Sequence, residues 1–206
     1  MRPKEFWSEE ITKSSWKKLT EISKEFEFIL IGGWAVYLWT KAHKSKDIDL
    51  VIDYTTLKTL AQKYDLQKNE RLKKYEIKME RFDIDVYVPH YSKLAVPVAQ
   101  LKNYTTRVEG ITTVTPEILV VLKQGAEMDR RESLKGRKDR IDILTLLFHS
   151  PFQLPKYRQL LKELQLTKCE YALQQEIRMF DPKESEYLGL NLKEFVNWKK
   201  NFLKVF

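Results

Sequence analysis

Gly32-Gly33, closing the apolar run "FEFILI" (26–31), constrain this chain more than any other feature. Glycine lets a backbone turn sharply and be approached closely, at a cost in conformational entropy. Thirteen residues then separate Gly33 from Asp47, which opens a second apolar run, "DIDLVID" (47–53). Aspartate is depleted in strands. Residues two apart on a strand project to the same side, so Asp47 and Asp49 share a face while Ile48 and Leu50 take the other. Two neighbouring carboxylates repel, and neither is buried cheaply alone. The stretch therefore specifies strand, glycine turn, helix and strand, with a pair of acids that needs a cation.

The flanking sequence supplies the rest of an α/β chain. Residues 8–24 place Ile11, Trp16, Leu19 and Ile22 at helical spacing behind Ser8 as N-cap. "WAVYLWTKA" (34–42) reads as a helix whose Trp34 and Trp39 pack on a sheet. An amphipathic helix covers 55–66, and two strands, 74–80 and 82–88, form a hairpin. Pro89 and Pro97 bracket a loop or sheet edge. Thr115-Pro116-Glu117 carries the N-cap, proline and first-turn acid of a helix start. The basic run "RRESLKGRKDR" (130–140) reads as a solvated loop, 139–149 as a helix, and "SPFQLP" (150–155) as a break. Residues 156–206 show helical patterns and no strand. The expected architecture is α/β (α+β), a mixed sheet flanked by helices, with residues 1–150 as the principal domain and 151–206 as a helical C-terminal region.

Composition excludes several alternatives. A single cysteine, Cys169, allows no internal disulfide and no cysteine-type zinc site, and it reads as a core residue rather than a nucleophile. His43, His90 and His149 have no metal-ligand spacing, and His43 reads as a surface residue. The longest stretch without a charged side chain, Phe28–Thr40, is 13 residues and too short to span a bilayer. The N-terminus lacks the apolar core of a signal peptide. A soluble, cytoplasmic protein without membrane contact is expected. The net charge of +8 permits a polyanionic partner, and equally suits a lysine- and glutamate-rich surface. Neither a Walker A sequence nor Gly-x-Gly-x-x-Gly occurs.

The chemistry follows from the acids and the glycines. Mg²⁺ prefers oxygen ligands and keeps room for water or phosphate oxygens, so it suits Asp47 and Asp49. The strand 82–88 offers Asp83 and Asp85 as further acids on one face. A glycine turn leading into a helix presents backbone N–H groups to phosphate. A nucleoside triphosphate (NTP) at Gly32-Gly33, bridged by metal to the acids, is the arrangement these residues favour. Two ions could hold both the attacking oxygen and the leaving pyrophosphate.

"IGGWAVYLWTKAHKSKDIDLV" (31–51) resembles the signature of the DNA polymerase β-like nucleotidyltransferase superfamily, with the glycine-to-aspartate spacer at the long end of the pattern. The "GGWAV" form is similar to small members, the lincosamide nucleotidyltransferase-like and AbiEii-type groups. The resemblance implies that Asp47 and Asp49 bind metal. It implies that Asp85, between Ile84 and Val86, is the third carboxylate and helps activate the acceptor hydroxyl. Asp83, which follows Phe82, matches that place less well. Residues 116–147 are similar to the segment that follows the catalytic strands in the AbiEii-like group. Lys123, Arg130 or Arg131, and Lys138 are its matching basic residues, suited to a triphosphate or an acceptor backbone. Asp139 and Asp142 share a helix face and read as partners of basic neighbours. The implied activity is Mg²⁺-dependent transfer of a nucleotide from an NTP to a hydroxyl on RNA, protein or a small molecule. The alternative is an inactive relative that binds nucleic acid or serves a toxin–antitoxin interaction. The sequence leaves the acceptor, the nucleotide and the oligomeric state open.

Overall fold

The computed structural model describes residues 3–206. Its centre is a mixed sheet of seven strands in the order β3-β4-β5-β2-β1-β7-β6. These are β1 (Ile29–Ile31), β2 (Ile48–Val51), β3 (Leu66–Asn69), β4 (Lys74–Lys78), β5 (Asp83–Tyr87), β6 (Thr105–Val108) and β7 (Ile111–Val114). β2 runs parallel to β5, and β1 parallel to β7; the other pairings are antiparallel. The helices are α1 (Glu9–Ile22), α2 (Gly32–Thr40), α3 (Tyr54–Lys63), α4 (Pro116–Arg130), α5 (Leu134–His149), α6 (Leu154–Glu163), α7 (Lys168–Met179) and α8 (Leu192–Leu203). The α/β architecture expected from the sequence is the one found.

The central strands alternate, with one face apolar and packed into the core and the other carrying Asp49 and Asp85. Leu30, Ile48, Leu50, Ile84 and Val86 are buried, and each fully buried side chain of this size contributes about 1.5–3 kcal/mol. α2 is buried along most of its length, and its two tryptophans pack with their N–H groups satisfied. Trp34 donates to Ser15 Oγ on α1 at 2.8 Å, and Trp39 donates to the Val114 carbonyl at 3.0 Å. That meets the rule that a buried indole N–H finds a partner.

Three local expectations change. The helix drawn to residue 66 ends at Lys63, because Leu66–Asn69 pairs with β4 as an edge strand. A hairpin of β6 and β7 occupies 105–114, unread in the sequence. Its turn is Glu109-Gly110, with φ of +50° and +81°. A turn with two positive φ values usually announces itself as Asn-Gly or Asp-Gly, and Glu-Gly carries a weaker signal. The run 130–140 is not a loop. α4 extends to Arg130, and α5 starts at Leu134 behind Ser133, whose Oγ accepts from the Gly136 N–H at 3.0 Å. Gly136 permits this tight corner, since a Cβ there would overlap the Arg130 carbonyl.

The C-terminal helices join the same buried cluster as the sheet. Tyr157, Leu160 and Leu161 of α6, Leu173 and Ile177 of α7 and Phe195 of α8 are part of it. Tyr157 donates to Gln124 Oε1 of α4 at 2.6 Å, tying α6 to the helix that follows β7. No helix among the described residues is long and apolar enough to cross a membrane.

α7 also carries a misfit. Glu176 is 7% exposed, and neither carboxylate oxygen has a hydrogen-bond partner among the described residues. Burial, reinforced by Glu127 across the α4–α7 contact, pushes its carboxyl up to about 8. Raised above its unfolded value, this group favours the fold most at acid pH. That contribution is lost as pH rises toward 8, where the native state must ionise it. Glu176→Gln is therefore expected to raise stability at pH 8–9 by several kcal/mol, on the order of 4 for a shift of this size. The gain should shrink toward pH 5, as measured by urea denaturation across that range.

Candidate active site

Gly32 and Asp49 are built against each other. In the β1–β2 pairing Ile31 lies opposite Asp49, so the chain turns at Gly32 beside the Asp49 carboxylate. Gly32 has φ of +69°, the left-handed region that favours glycine, and a Cβ on it would overlap Asp49 Oδ2. Gly33 leaves room for Ser45 Oγ, and the Lys138 ammonium stands 3.4 Å from where its Cβ would lie. α2 begins at this turn with its backbone N–H groups facing the same region.

The parallel pairing of β2 with β5 places Asp85 directly beside Asp49. Tyr87, two positions further along β5, donates its hydroxyl to Asp49 Oδ1 at 3.4 Å. Asp47 lies just before β2, where its Oδ1 accepts from the Asp83 N–H at 3.2 Å and Oδ2 is 3.7 Å from Lys135 Nζ. Asp85 Oδ2 accepts from Lys74 Nζ at 2.5 Å, and its Oδ1 is buried without a partner among the described residues. Burial, with Asp85 and Asp47 nearby, pushes the Asp49 carboxyl up to about 6. Burial raises Asp85 as well, against the opposing pull of Lys74.

A cleft of about 980 Å³ opens over these residues, lined by Gly32, Gly33, Asp47, Asp49, Asp85, Lys123, Arg130 and Lys138. Among the residues singled out from the sequence, Arg131, Asp142 and Asp83 do not border it, and Asp83 pairs at the surface with Lys78 at 3.0 Å. The volume lies at the upper end of the range for small-molecule sites, about 300–1,000 Å³. The α6–α7 turn forms part of the wall through Gln165–Cys169, so Cys169 is half-buried at the cleft edge rather than sealed in the core.

The basic residues differ in what they are free to do. Lys123 is buried, with Nζ 3.0 Å from Asp139 Oδ1 and 2.7 Å from Asp142 Oδ2. Arg130 bonds Asp139 at 2.7 Å, and Lys138 bonds Asp142 at 2.8 Å. Burial opposes charge on Asp142, but Lys123 and Lys138 outweigh it and hold its carboxyl down to about 2. Within 130–140 the remaining cations are also occupied: Arg131 and Arg140 by Glu127, Arg137 by Glu184, and Lys135 by Asp47. By contrast Lys93 and Lys168, which also line the cleft, are exposed and have no carboxylate within 4.0 Å among the described residues.

Sequence reasoning overlooked Lys74 and Glu76, which flank the third carboxylate from β4. Their alternation on the strand before Asp85 was the available signal. It also misplaced His43, which is 1% exposed. His43 sits beside Phe6 and Tyr187, at centroid distances of 5.3 and 6.4 Å. Burial lowers it to about 4, so it is neutral at physiological pH.

No group of three or more His, Cys, Asp or Glu side chains among the described residues is arranged to hold a metal ion by itself. Asp85 turns to Lys74 and Asp47 to Asp83 and Lys135, so the expected three-carboxylate set is not assembled. The donors still fit a hard divalent cation in kind. They are oxygens, they are adjacent, and one buried oxygen of Asp85 has no partner.

Residues 10–180 match the family described as "Nucleotidyltransferase of unknown function (DUF6036)", and the chain belongs to that family. No curated protein matches the chain in sequence. Among solved structures, a candidate nucleotidyltransferase from H. pylori is similar at 14% identity and a TM-score of 0.50, covering 96% of this chain and 98% of that one. An antigenic nucleotidyltransferase-like protein from Paracoccidioides brasiliensis is similar at 18% identity and a TM-score of 0.49, covering 89% and 94%. JHP933 from Helicobacter pylori is similar at 14% identity and 0.46, covering 96% and 94%. At 14% identity, the likeness at a TM-score of 0.50 concerns the fold alone.

Two substitutions test this geometry by stability alone. Gly32→Ala forces a left-handed alanine into the space of the Asp49 carboxylate, with an expected loss of about 1–3 kcal/mol. Lys123→Met removes the cation between two buried carboxylates, with an expected loss of about 3 kcal/mol or more. Denaturation midpoints at pH 7 measure both, and a loss under 0.5 kcal/mol, roughly what an ordinary surface change gives, would contradict the packing described.

Proposed function

We propose that the protein is a metal-dependent nucleotidyltransferase that moves a nucleoside monophosphate from an NTP to an acceptor hydroxyl and releases pyrophosphate. The observation that carries this reading is the Gly32 turn pressed against Asp49, with Asp85 beside it at the floor of one cleft. In this reading the N-terminus of α2 and Lys138 receive the triphosphate, because free backbone N–H groups and an ammonium suit its charge. Asp47 and Asp49 would hold Mg²⁺, which supplies charge neutralisation at the triphosphate and the leaving group. Asp85, with its unpartnered Oδ1, orients the acceptor hydroxyl and takes its proton as the oxygen attacks the α-phosphorus in line. The buried Lys123–Asp139–Asp142 cluster is held too tightly to turn toward a ligand. It fixes α4 and α5 around the site, and its Lys123 ammonium favours the ionised form of Asp49. Most of the rate enhancement in such a reaction is positioning and electrostatic stabilisation.

Residues 1–150 carry this chemistry in our reading, and residues 151–206 add the wall that meets the acceptor. The unpaired Lys93 and Lys168 favour an anionic acceptor, an RNA end ahead of a protein hydroxyl. The single unpaired cysteine favours a cytoplasmic location.

Incubation with each labelled NTP, total RNA and total protein tests the activity. The expected result is Mg²⁺-dependent transfer of label with release of pyrophosphate, reduced at least about a hundredfold in Asp49→Asn. If no NTP binds in the presence of Mg²⁺ and Asp49→Asn behaves as the parent does, the enzyme reading fails. An inactive nucleic-acid-binding or toxin–antitoxin module would then take its place.

A further inference from the structure

Three acids stand in line across three adjacent strands. Glu76 on β4 is the register partner of Asp85 on β5, and Asp85 is the register partner of Asp49 on β2. Partners at one level of a sheet present their side chains to the same face. Lys74, two residues before Glu76, shares that face. Its Nζ lies 2.5 Å from Asp85 Oδ2 and 3.0 Å from Glu76 Oε1, and its side chain is 11% exposed. Burial opposes its charge, but Asp85 and Glu76 outweigh it, so the ammonium is held above its ordinary value.

Among the described residues no other cation bonds Asp85. Lys123, Arg130 and Lys138 are engaged with Asp139 and Asp142, and Lys135 meets Asp47 only at 3.7 Å from an exposed position. A divalent ion at Asp85 would have to share one small carboxylate with an ammonium already in contact. Like charges at that separation, away from bulk water, repel strongly. The row of acids thus already contains one buried cation attached to the chain, Lys74, while the exposed Lys78 meets only Glu76 of that row, at 3.4 Å.

We propose that Lys74 is a resident cation that takes the place of one of the two divalent ions such a site can hold, so that the protein with its nucleotide binds one. The inference rests on the metal-dependent reading above. Lys74 acts here as a charge-balancing and positioning residue. It holds Asp85 by Oδ2 and leaves Oδ1 unengaged among the described residues. A merely structural clamp between β4 and β5 would predict no change in the number of ions bound.

The test counts ions. Mn²⁺ is titrated into the full chain with a non-hydrolysable NTP analogue, and free Mn²⁺ is read by electron paramagnetic resonance. One tightly bound ion per chain is expected for the parent protein and for Lys74→Arg, and two for Lys74→Gln. Two ions on the parent, or one on a folded Lys74→Gln, overturns the proposal while leaving metal-dependent transfer intact. No bound ion on the parent, even with the analogue present, removes the metal-dependent reading and this proposal together. Should Lys74→Gln fail to fold by circular dichroism, the parent count decides: one ion supports the proposal and two overturn it.

Discussion

The contact between the Gly32 backbone and the Asp49 carboxylate holds the site together. A strand must end, reverse into a helix and leave its turn open enough for an acidic side chain from the neighbouring strand to press on it. Only a residue without a Cβ, in a left-handed conformation, meets that condition. Once the contact is made, the β1–β2 register is fixed, because a one-residue slip would turn Asp49 to the opposite face of the sheet. The parallel β2–β5 pairing then carries that register to Asp85, and the antiparallel β5–β4 pairing carries it on to Glu76.

Charge is the second organising constraint, and it is balanced locally. Acids on the strands meet Lys74, while acids on α5 meet Lys123, Arg130 and Lys138. Buried carboxylates need such partners, since an unpaired ionised group in a poorly solvated place is very costly. Glu176 shows the opposite case: its oxygens find no partner and its carboxyl is driven toward the neutral form. The formal excess of positive charge therefore says little about where a polyanion would dock. The basic run 130–140, the densest in the sequence, is almost wholly engaged with acids of the same chain.

How much could be read in advance depended on range. The glycine pair, the aspartate pair and Asp85 lie on local patterns of turn and strand alternation, and all five border one cleft. The helix start at Thr115-Pro116 was legible for the same reason, through proline's fixed φ and missing N–H. What escaped was set by tertiary partners. The edge strand Leu66–Asn69 exists because β4 is there to pair with it. His43 is buried because Phe6 and Tyr187, far apart in sequence, close over it. The role of Lys74 depends on a neighbouring strand, and no spacing within the chain encodes which lysine of many will face an aspartate.

Gly125 contributes through the group it lacks. A Cβ there would run into the Cβ of Ala95, so the segment before the Val98–Tyr104 turn lies directly on α4 with nothing between them. Leu94, Ala95, Leu122, Gly125 and Ala126 all border the cleft, so this contact shapes part of its wall. That wall is set at one position without a charged residue. Bulkier side chains at positions 95 and 125 would push the segment away from α4 and reshape the wall beside the same carboxylates.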